Sequence, residues 1–144
     1  MENSLFAEFI GKKISNISRV CDLVCIEFKS SDQETVSLHI QSFFRFIKNN
    51  KVFICSDDMC RCDSQYENEE FQWDVPGKSV YDKSIIKHYD MICDSAVLQI
   101  NQNRLGDLTI AFENDIALQI FVDTTETEEK YRIINQYDHI VFNS

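Results

Sequence analysis

The sequence predicts a β-rich α+β domain in which two similar antiparallel meanders form a sandwich or a partly closed barrel, with two or three short helices. Apolar residues alternate with other residues along most of the chain, as at Val36, Leu38 and Ile40, and this period of two is typical of half-buried strands. The 144 residues include only 3 glycines and 1 proline, which excludes collagen-like and linker-rich architectures. A hydrophobic content of 44% with 11 phenylalanines is enough to form the core of one domain.

The predicted strands fall into two groups. Those of the first half cover residues 14–17, 20–28, 35–40, 43–47 and 52–55, and the polar residues 48–51 between the last two are typical of a hairpin turn. Those of the second half cover residues 96–100, 108–112, 116–121, 131–134 and 140–142, with a tight turn at 113–115.

Helical patterns are few and short. Ser4 followed by Glu8 predicts a capped helix over residues 5–10, and a weak period of 3.6 predicts a second helix from Ser79 to Tyr89. Thr125 followed three residues later by Glu128 resembles a capping box. It predicts a helical stub over residues 125–130.

The two groups of strands repeat one another in order. Val36-x-Leu38-x-Ile40 matches Ile116-x-Leu118-x-Ile120, and Ile26-x-Phe28 matches Ile110-x-Phe112. Phe44-Arg45-Phe46-Ile47 likewise matches Tyr131-Arg132-Ile133-Ile134. An ordered repeat of this kind indicates an internal duplication. We therefore expect Arg45 and Arg132 to occupy equivalent places, each paired with a carboxylate at a sheet edge.

This repeat divides a single domain, residues 1–144, into three parts. Residues 1–56 form the first meander, residues 57–92 an acidic loop and helical connector, and residues 93–144 the second meander. The N-terminus has neither a basic region nor a long apolar run, which predicts no signal peptide and a cytoplasmic location. No run approaches the length of a transmembrane helix, so we expect no membrane association.

The acidic charge is concentrated in the middle of the chain. The net charge is −10, of which residues 57–74, with 7 acidic residues and 1 basic residue, carry −6. A charge of this sign opposes binding to nucleic acid, which requires lysine and arginine, and favours binding to a basic protein. We call residues 57–74 the acidic segment.

The acidic segment mixes carboxylates with aromatic residues, and two interpretations are open. In the first interpretation the segment is a partner-binding surface, in which aromatic side chains supply contact area and carboxylates supply steering. Alternatively it is a solvated loop whose Phe71 and Trp73 pack into the domain's own core. The candidate partner-binding residues are Asp57, Asp58, Asp63, Tyr66, Glu67, Glu69, Glu70, Phe71, Trp73 and Asp74.

The chain offers little for metal binding or catalysis. Six cysteines are expected to be reduced in the cytoplasm. Cys55, Cys60 and Cys62 lack paired C-x2-C knuckles, and Cys21 and Cys25 lie in a strand-like run. We therefore expect buried free thiols, and neither a metal site nor a cofactor. Nucleotide-binding, hydrolase and metalloprotease motifs are absent, and His39, His88 and His139 are scattered. The sequence favours a protein that is not an enzyme.

Four stretches resemble a known class of proteins. They are Leu38-His39-Ile40-Gln41 through Phe44-Arg45, then Ser56-Asp57-Asp58-Met59, Phe71-Gln72-Trp73-Asp74 and Gly106-Asp107-Leu108. In this order they resemble small bacterial immunity proteins that accompany polymorphic or contact-dependent toxins, including tRNA-cleaving ones. The resemblance covers nearly the whole chain, but its motifs are structural. It implies a cytosolic antidote that occludes the active site of a toxin domain, and it assigns no role to a single residue.

From the sequence we therefore hypothesise that the chain is an immunity protein that binds a basic toxin domain, a nuclease. Binding would depend on electrostatic steering and on an interface centred on aromatic side chains. The alternative is a small protein-binding or scaffold module without a toxin partner. The sequence does not predict the oligomeric state.

Overall fold

The computed structural model describes residues 4–126, 128–135 and 139–143, and within these ranges it contains ten strands, two α-helices and three short 3-10 turns. The elements of the first half are α1 (Ser4–Ala7), β1 (Lys13–Val20), β2 (Leu23–Lys29), β3 (Thr35–Ile40), β4 (Phe44–Lys48) and β5 (Lys51–Cys55). Those of the second half are α2 (Val80–Cys93), β6 (Val97–Gln102), β7 (Leu108–Phe112), β8 (Ile116–Ile120), β9 (Glu129–Asn135) and β10 (His139–Asn143). The 3-10 turns span Ser56–Cys60, Ser64–Tyr66 and Glu113–Asp115.

The strands form two open antiparallel sheets of five strands each. The first sheet has the order β1-β2-β3-β9-β10 and the second the order β5-β4-β8-β7-β6. The predicted β-rich class is confirmed. Of the two predicted arrangements, a sandwich and a partly closed barrel, the structure has the sandwich, since neither sheet closes into a barrel. Each half of the chain places three strands in one sheet and two in the other. The two halves are therefore interlocked, which the sequence pattern alone does not indicate.

The order of elements repeats as the sequence predicts. An α-helix precedes three strands of one sheet and a two-stranded hairpin of the other, first in α1 to β5 and again in α2 to β10. Phe28 and Phe112, which the repeat aligns, stack on each other with ring centroids 6.3 Å apart. The amide of Val97 donates to the carbonyl of Lys12, and Gly11 donates to Val97, each at 2.8 Å. The two halves thus meet at equivalent residues.

Alternation along the strands places one face of each sheet in a shared core. In β2, Val24, Ile26 and Phe28 are fully buried while the residues between them are partly exposed. Leu38 of β3 and Leu118 of β8 are equivalent in the repeat, and both are fully buried. Burial of each such side chain contributes about 1.5–3 kcal/mol.

Helix α2 lies against one side of the sandwich. It begins after Ser79, whose hydroxyl accepts from the amide of Asp82. The Asp82 carboxylate in return accepts from the backbone amide and the hydroxyl of Ser79. This capping box fixes the start of the helix. Ile85 and Ile92 of α2 are buried, and the helix contacts β1, β5 and the 3-10 turn Ser56–Cys60. Among the described residues, no helix is long and apolar enough to cross a membrane.

The predicted stub over residues 125–130 is wrong. The chain bends at residues 125–126 and enters β9 at Glu129; residue 127 lies outside the described residues. The side chain of Lys130 is buried and donates to Thr124 and Glu128, and the following Tyr131 is in the core. These contacts require an extended strand. The helix predicted over residues 5–10 is shorter, one turn at Ser4–Ala7.

The two arginines of the repeat occupy equivalent interior strands, β4 and β9, rather than sheet edges. Arg132 donates to the carboxylate of Glu129, as expected. Arg45 instead donates to the amide oxygen of Gln119 at 2.8 Å and lies 5.1 Å from the centroid of the Phe121 ring. Its predicted carboxylate partner is therefore wrong, because its cross-strand neighbour on β8 is a glutamine.

Candidate protein-binding surface

The acidic segment connects β5 to α2 and is fixed at its base. Cys62 and Ser79 form an antiparallel bridge. The amide of Asp63 donates to the carbonyl of Lys78 at 2.9 Å, and the amide of Val80 donates to that of Arg61 at 2.7 Å. Residues 63–78 therefore form a loop whose ends are held together beside the start of α2.

Three of the predicted partner-binding carboxylates have partners within the chain. Asp58 pairs with Arg61 at 2.9 Å, and Glu69 pairs with Lys78 at 3.4 Å. Asp63 caps the 3-10 turn Ser64–Tyr66 by accepting from the amide of Gln65 at 3.0 Å. These contacts shape the loop.

The other four carboxylates are those of Asp57, Glu67, Glu70 and Asp74. All four residues are exposed, and within the described part of the chain their side chains form no ion pair or hydrogen bond. Because none of these four carboxylates is paired with a cation among the described residues, they leave negative charge on the surface of the acidic segment.

The aromatic residues of the acidic segment differ in their surroundings. The hydroxyl of Tyr66 accepts from Lys83 at 2.8 Å, and Lys83 also lies 4.8 Å from the Tyr66 ring centroid. Phe71 is partly buried. Trp73 is 41% exposed, and neither it nor Phe71 belongs to the buried core. The expectation that both pack into the core is therefore not met, and Trp73 presents a large apolar side chain at the surface of the acidic segment.

A groove of about 240 Å³ lies beside this loop, between α2 and the edge strand β1. The sequence pattern does not predict it, because its walls come from three separate parts of the chain. We call it the α2–β1 groove. Its lining residues are Ile17, Ser18, Arg19, Pro76, Gly77, Tyr81, Asp82, Ile85 and Ile86.

The charged groups lining the groove are a paired arginine and aspartate. Nε and Nη2 of Arg19 each donate to the carboxylate of Asp82 at 2.9 Å, and the two side chains are only 3% and 9% exposed. Asp82 also accepts from the amide of Gly77 at 2.8 Å and the hydroxyl of Ser79 at 2.7 Å. Nη1 of Arg19 donates to the carbonyl of Cys21. Both charges are thus fully engaged within the chain.

These contacts set the ionisation of the pair. Burial by itself disfavours the charged form of Asp82, but hydrogen bonds from Arg19, Gly77 and Ser79 outweigh it and lower the pKa of Asp82. The hydrogen bond to Asp82 raises the pKa of Arg19. The pair remains ionised and adds no net charge to the groove, which therefore suits an uncharged occupant.

Tyr81 also lines the groove. Its side chain is 2% exposed, and its ring packs edge-on against Phe44 with centroids 5.9 Å apart. Its hydroxyl is buried with no hydrogen-bond partner among the described residues. Burial raises the pKa of Tyr81, so the hydroxyl is neutral.

A second hollow of about 230 Å³ adjoins the groove. It is lined by Glu70, Gln72, Val75, Pro76 and Lys78, and Pro76 belongs to both cavities. An apolar groove and a hollow with an unpaired carboxylate are therefore separated by one proline.

Among the residues whose side chains the structure describes, the cysteines and histidines form no cluster of metal-binding size. All six thiols are free. The expectation that they are buried is not met, because none is fully buried, and Cys21 and Cys60 are exposed. Cys21 lies in the turn between β1 and β2 with a positive φ of 53° and not in a strand. The His88 ring packs edge-on against Phe53, where burial lowers its pKa. No cluster of three or more metal-binding side chains occurs within the described ranges.

No family model, curated protein or solved structure matches the chain.

Proposed function

We propose that this protein is an immunity protein that binds a basic toxin domain, a nuclease, and occludes its active site. The observation that carries the proposal is the acidic segment, in which Trp73 is exposed together with four carboxylates that have no partner within the described residues. A nuclease binds its substrate through a cleft rich in lysine and arginine. An anchored acidic loop with an exposed aromatic side chain has the charge and contact area to cover such a cleft.

The closed base of the loop supports the proposal. The bridge between Cys62 and Ser79 holds the two ends of residues 63–78 together before any partner arrives. A preformed surface loses less conformational entropy on binding than a mobile one. An antidote that must act in stoichiometric amounts gains affinity from this.

The proposal is tested with the toxin domain itself. The proposal predicts that a large secreted protein with a variable C-terminal domain is encoded immediately upstream of this chain. That domain is the probe, expressed in a bacterial host with and without the chain. We expect the chain to restore growth and to form a complex with the domain in vitro. The double variant Glu70→Lys/Trp73→Ala should lose rescue, whereas Glu34→Lys, an exposed acid on the β2–β3 turn, should keep it.

Two results overturn the proposal. Failure of the folded chain to bind the domain would remove its basis. Binding without rescue of growth would favour the alternative, a protein-binding module without an inhibitory role.

A further inference from the structure

The α2–β1 groove and the hollow beside it form a pair of sites with different chemistry. Ile17, Ile85 and Pro76 give the groove apolar walls. Its volume of about 240 Å³ is several times the roughly 30 Å³ share of one water molecule. Ile86 at its rim is 67% exposed. An exposed apolar groove of this kind is typical of a binding site.

The paired charges in the groove determine what it accepts. Arg19 and Asp82 satisfy each other, so a charged ligand group would lose its hydration and find no free counter-ion. An apolar side chain avoids that loss of hydration and removes Ile86 from water. The groove therefore selects an apolar group.

The neighbouring hollow selects a cation. Glu70 lines it with an unpaired carboxylate, while the ammonium of Lys78, which also lines it, is paired with Glu69 and donates to the backbone carbonyl of Glu70. A lysine or arginine entering beside Pro76 would meet the free carboxylate of Glu70 and lie close to an apolar neighbour in the groove. A second copy of the chain is a poor occupant, since each copy carries a net charge of −10.

We propose that the α2–β1 groove receives one bulky apolar side chain of the basic partner and that the adjoining hollow receives a lysine or arginine next to it in the partner's chain. This inference rests on the proposed function only in requiring a basic protein partner. It adds that the partner's contact segment contains an apolar residue next to a lysine or arginine.

The test uses three short peptides and amide chemical shifts of the 15N-labelled chain. The probes are capped Gly-Lys-Leu-Lys-Gly, Gly-Lys-Gly-Lys-Gly and Gly-Glu-Leu-Glu-Gly. We expect the first to shift the amides of Gly77, Tyr81 and Ile86 together with that of Glu70. The second should bind about 30-fold more weakly, since it lacks the buried leucine, and the third should not bind.

Matched variants locate the apolar contact. Ile86→Lys should abolish the groove shifts, whereas Leu98→Lys on β6, a similarly exposed position at 59% against 67%, should leave them unchanged. Both variants change the surface alone, so both are expected to fold.

The outcomes separate this inference from the proposed function. If the two lysine peptides shift only the acidic segment and to the same extent, or if Ile86→Lys still binds the leucine peptide, the groove proposal is overturned. Neither result affects rescue of growth by the chain. Equal binding of the glutamate peptide would overturn the assignment of a cation to the hollow.

Discussion

Arg19 on β1 and Asp82 on α2 are joined by two hydrogen bonds of 2.9 Å, although 63 residues separate them in the sequence. The Asp82 carboxylate also completes the capping box with Ser79. One buried carboxylate therefore fixes both the first turn of α2 and the attachment of the helix to an edge strand. The walls of the α2–β1 groove depend on this pair.

Removing the negative charge of Asp82 should destabilise the fold. Asp82→Asn leaves the buried guanidinium of Arg19 without its counter-ion, and we expect a loss of about 3–5 kcal/mol in the free energy of unfolding. Chemical denaturation measures it. Asp90→Asn, at an exposed position of the same helix, should change the value by less than about 0.5 kcal/mol. Equal effects of the two substitutions would show that the pair does not hold the helix.

The contribution of Asp82 should depend on pH. Because its pKa is lower in the folded state than in the unfolded one, its stabilisation is complete above the unfolded value of about 3.9 and declines as pH falls through the folded value. The difference in unfolding free energy between the wild type and Asp82→Asn should therefore shrink below about pH 4. Denaturation curves recorded from neutral pH downwards measure it. A difference that stays constant to pH 3 would contradict the ionised pair.

The duplication predicts equal effects at equivalent core positions. Leu38→Ala on β3 and Leu118→Ala on β8 each remove a fully buried side chain from a central strand. Each should cost about 2–5 kcal/mol, with values within about 1 kcal/mol of each other. Leu98→Ala, where the side chain is exposed, is the control and should cost little. A large cost at one leucine and a small cost at the other would mean that the halves are not equivalent in packing.

Trp73 should matter for binding and not for folding. Since it is 41% exposed and outside the core, Trp73→Ala should change the unfolding free energy by less than about 1 kcal/mol. Phe44→Ala in the core should cost about 3–5 kcal/mol. Thermal or chemical denaturation of the two variants tests the contrast. A loss of stability at Trp73 comparable to that at Phe44 would restore the interpretation that the acidic segment packs into the core.

Local sequence patterns account for much of this fold. Alternation at Val36, Leu38 and Ile40 follows from the pleat of a half-buried strand, and the repeat of that pattern at residues 116–120 locates the equivalent strand. Each of these features lies within a few residues, so a single sequence contains enough information to predict it.

Features that depend on distant residues were not predictable. The last hairpin of each half of the chain joins the sheet formed by the other half, so that β3 pairs with β9 and β4 with β8. The alternation of apolar and other residues is the same whichever sheet a strand joins. The pairing of Arg19 with Asp82, and hence the groove, depends on where α2 docks. The stub over residues 125–130 failed because burial of Lys130 and Tyr131 overrides a local capping pattern.

In the acidic segment, too, the local features were predictable from the sequence and the features that depend on distant residues were not. Its charge was evident from the sequence, but which carboxylates stay unpaired depends on where Arg61, Lys78 and Lys83 lie. Asp58 and Glu69 are paired within the chain, whereas the carboxylates of Glu67 and Glu70 have no partner among the described residues. The exposure of Trp73 likewise follows from the path of the loop and not from its composition.

If the acidic segment captures a basic partner by electrostatic steering, the rate of association with the toxin domain depends on salt. Stopped-flow measurements from about 25 to about 500 mM salt should show the rate falling at least 10-fold. Glu67→Lys should slow association at low salt more than Glu34→Lys, although both residues are exposed and both substitutions change the net charge equally. A rate independent of salt, with the two variants indistinguishable, would contradict the account.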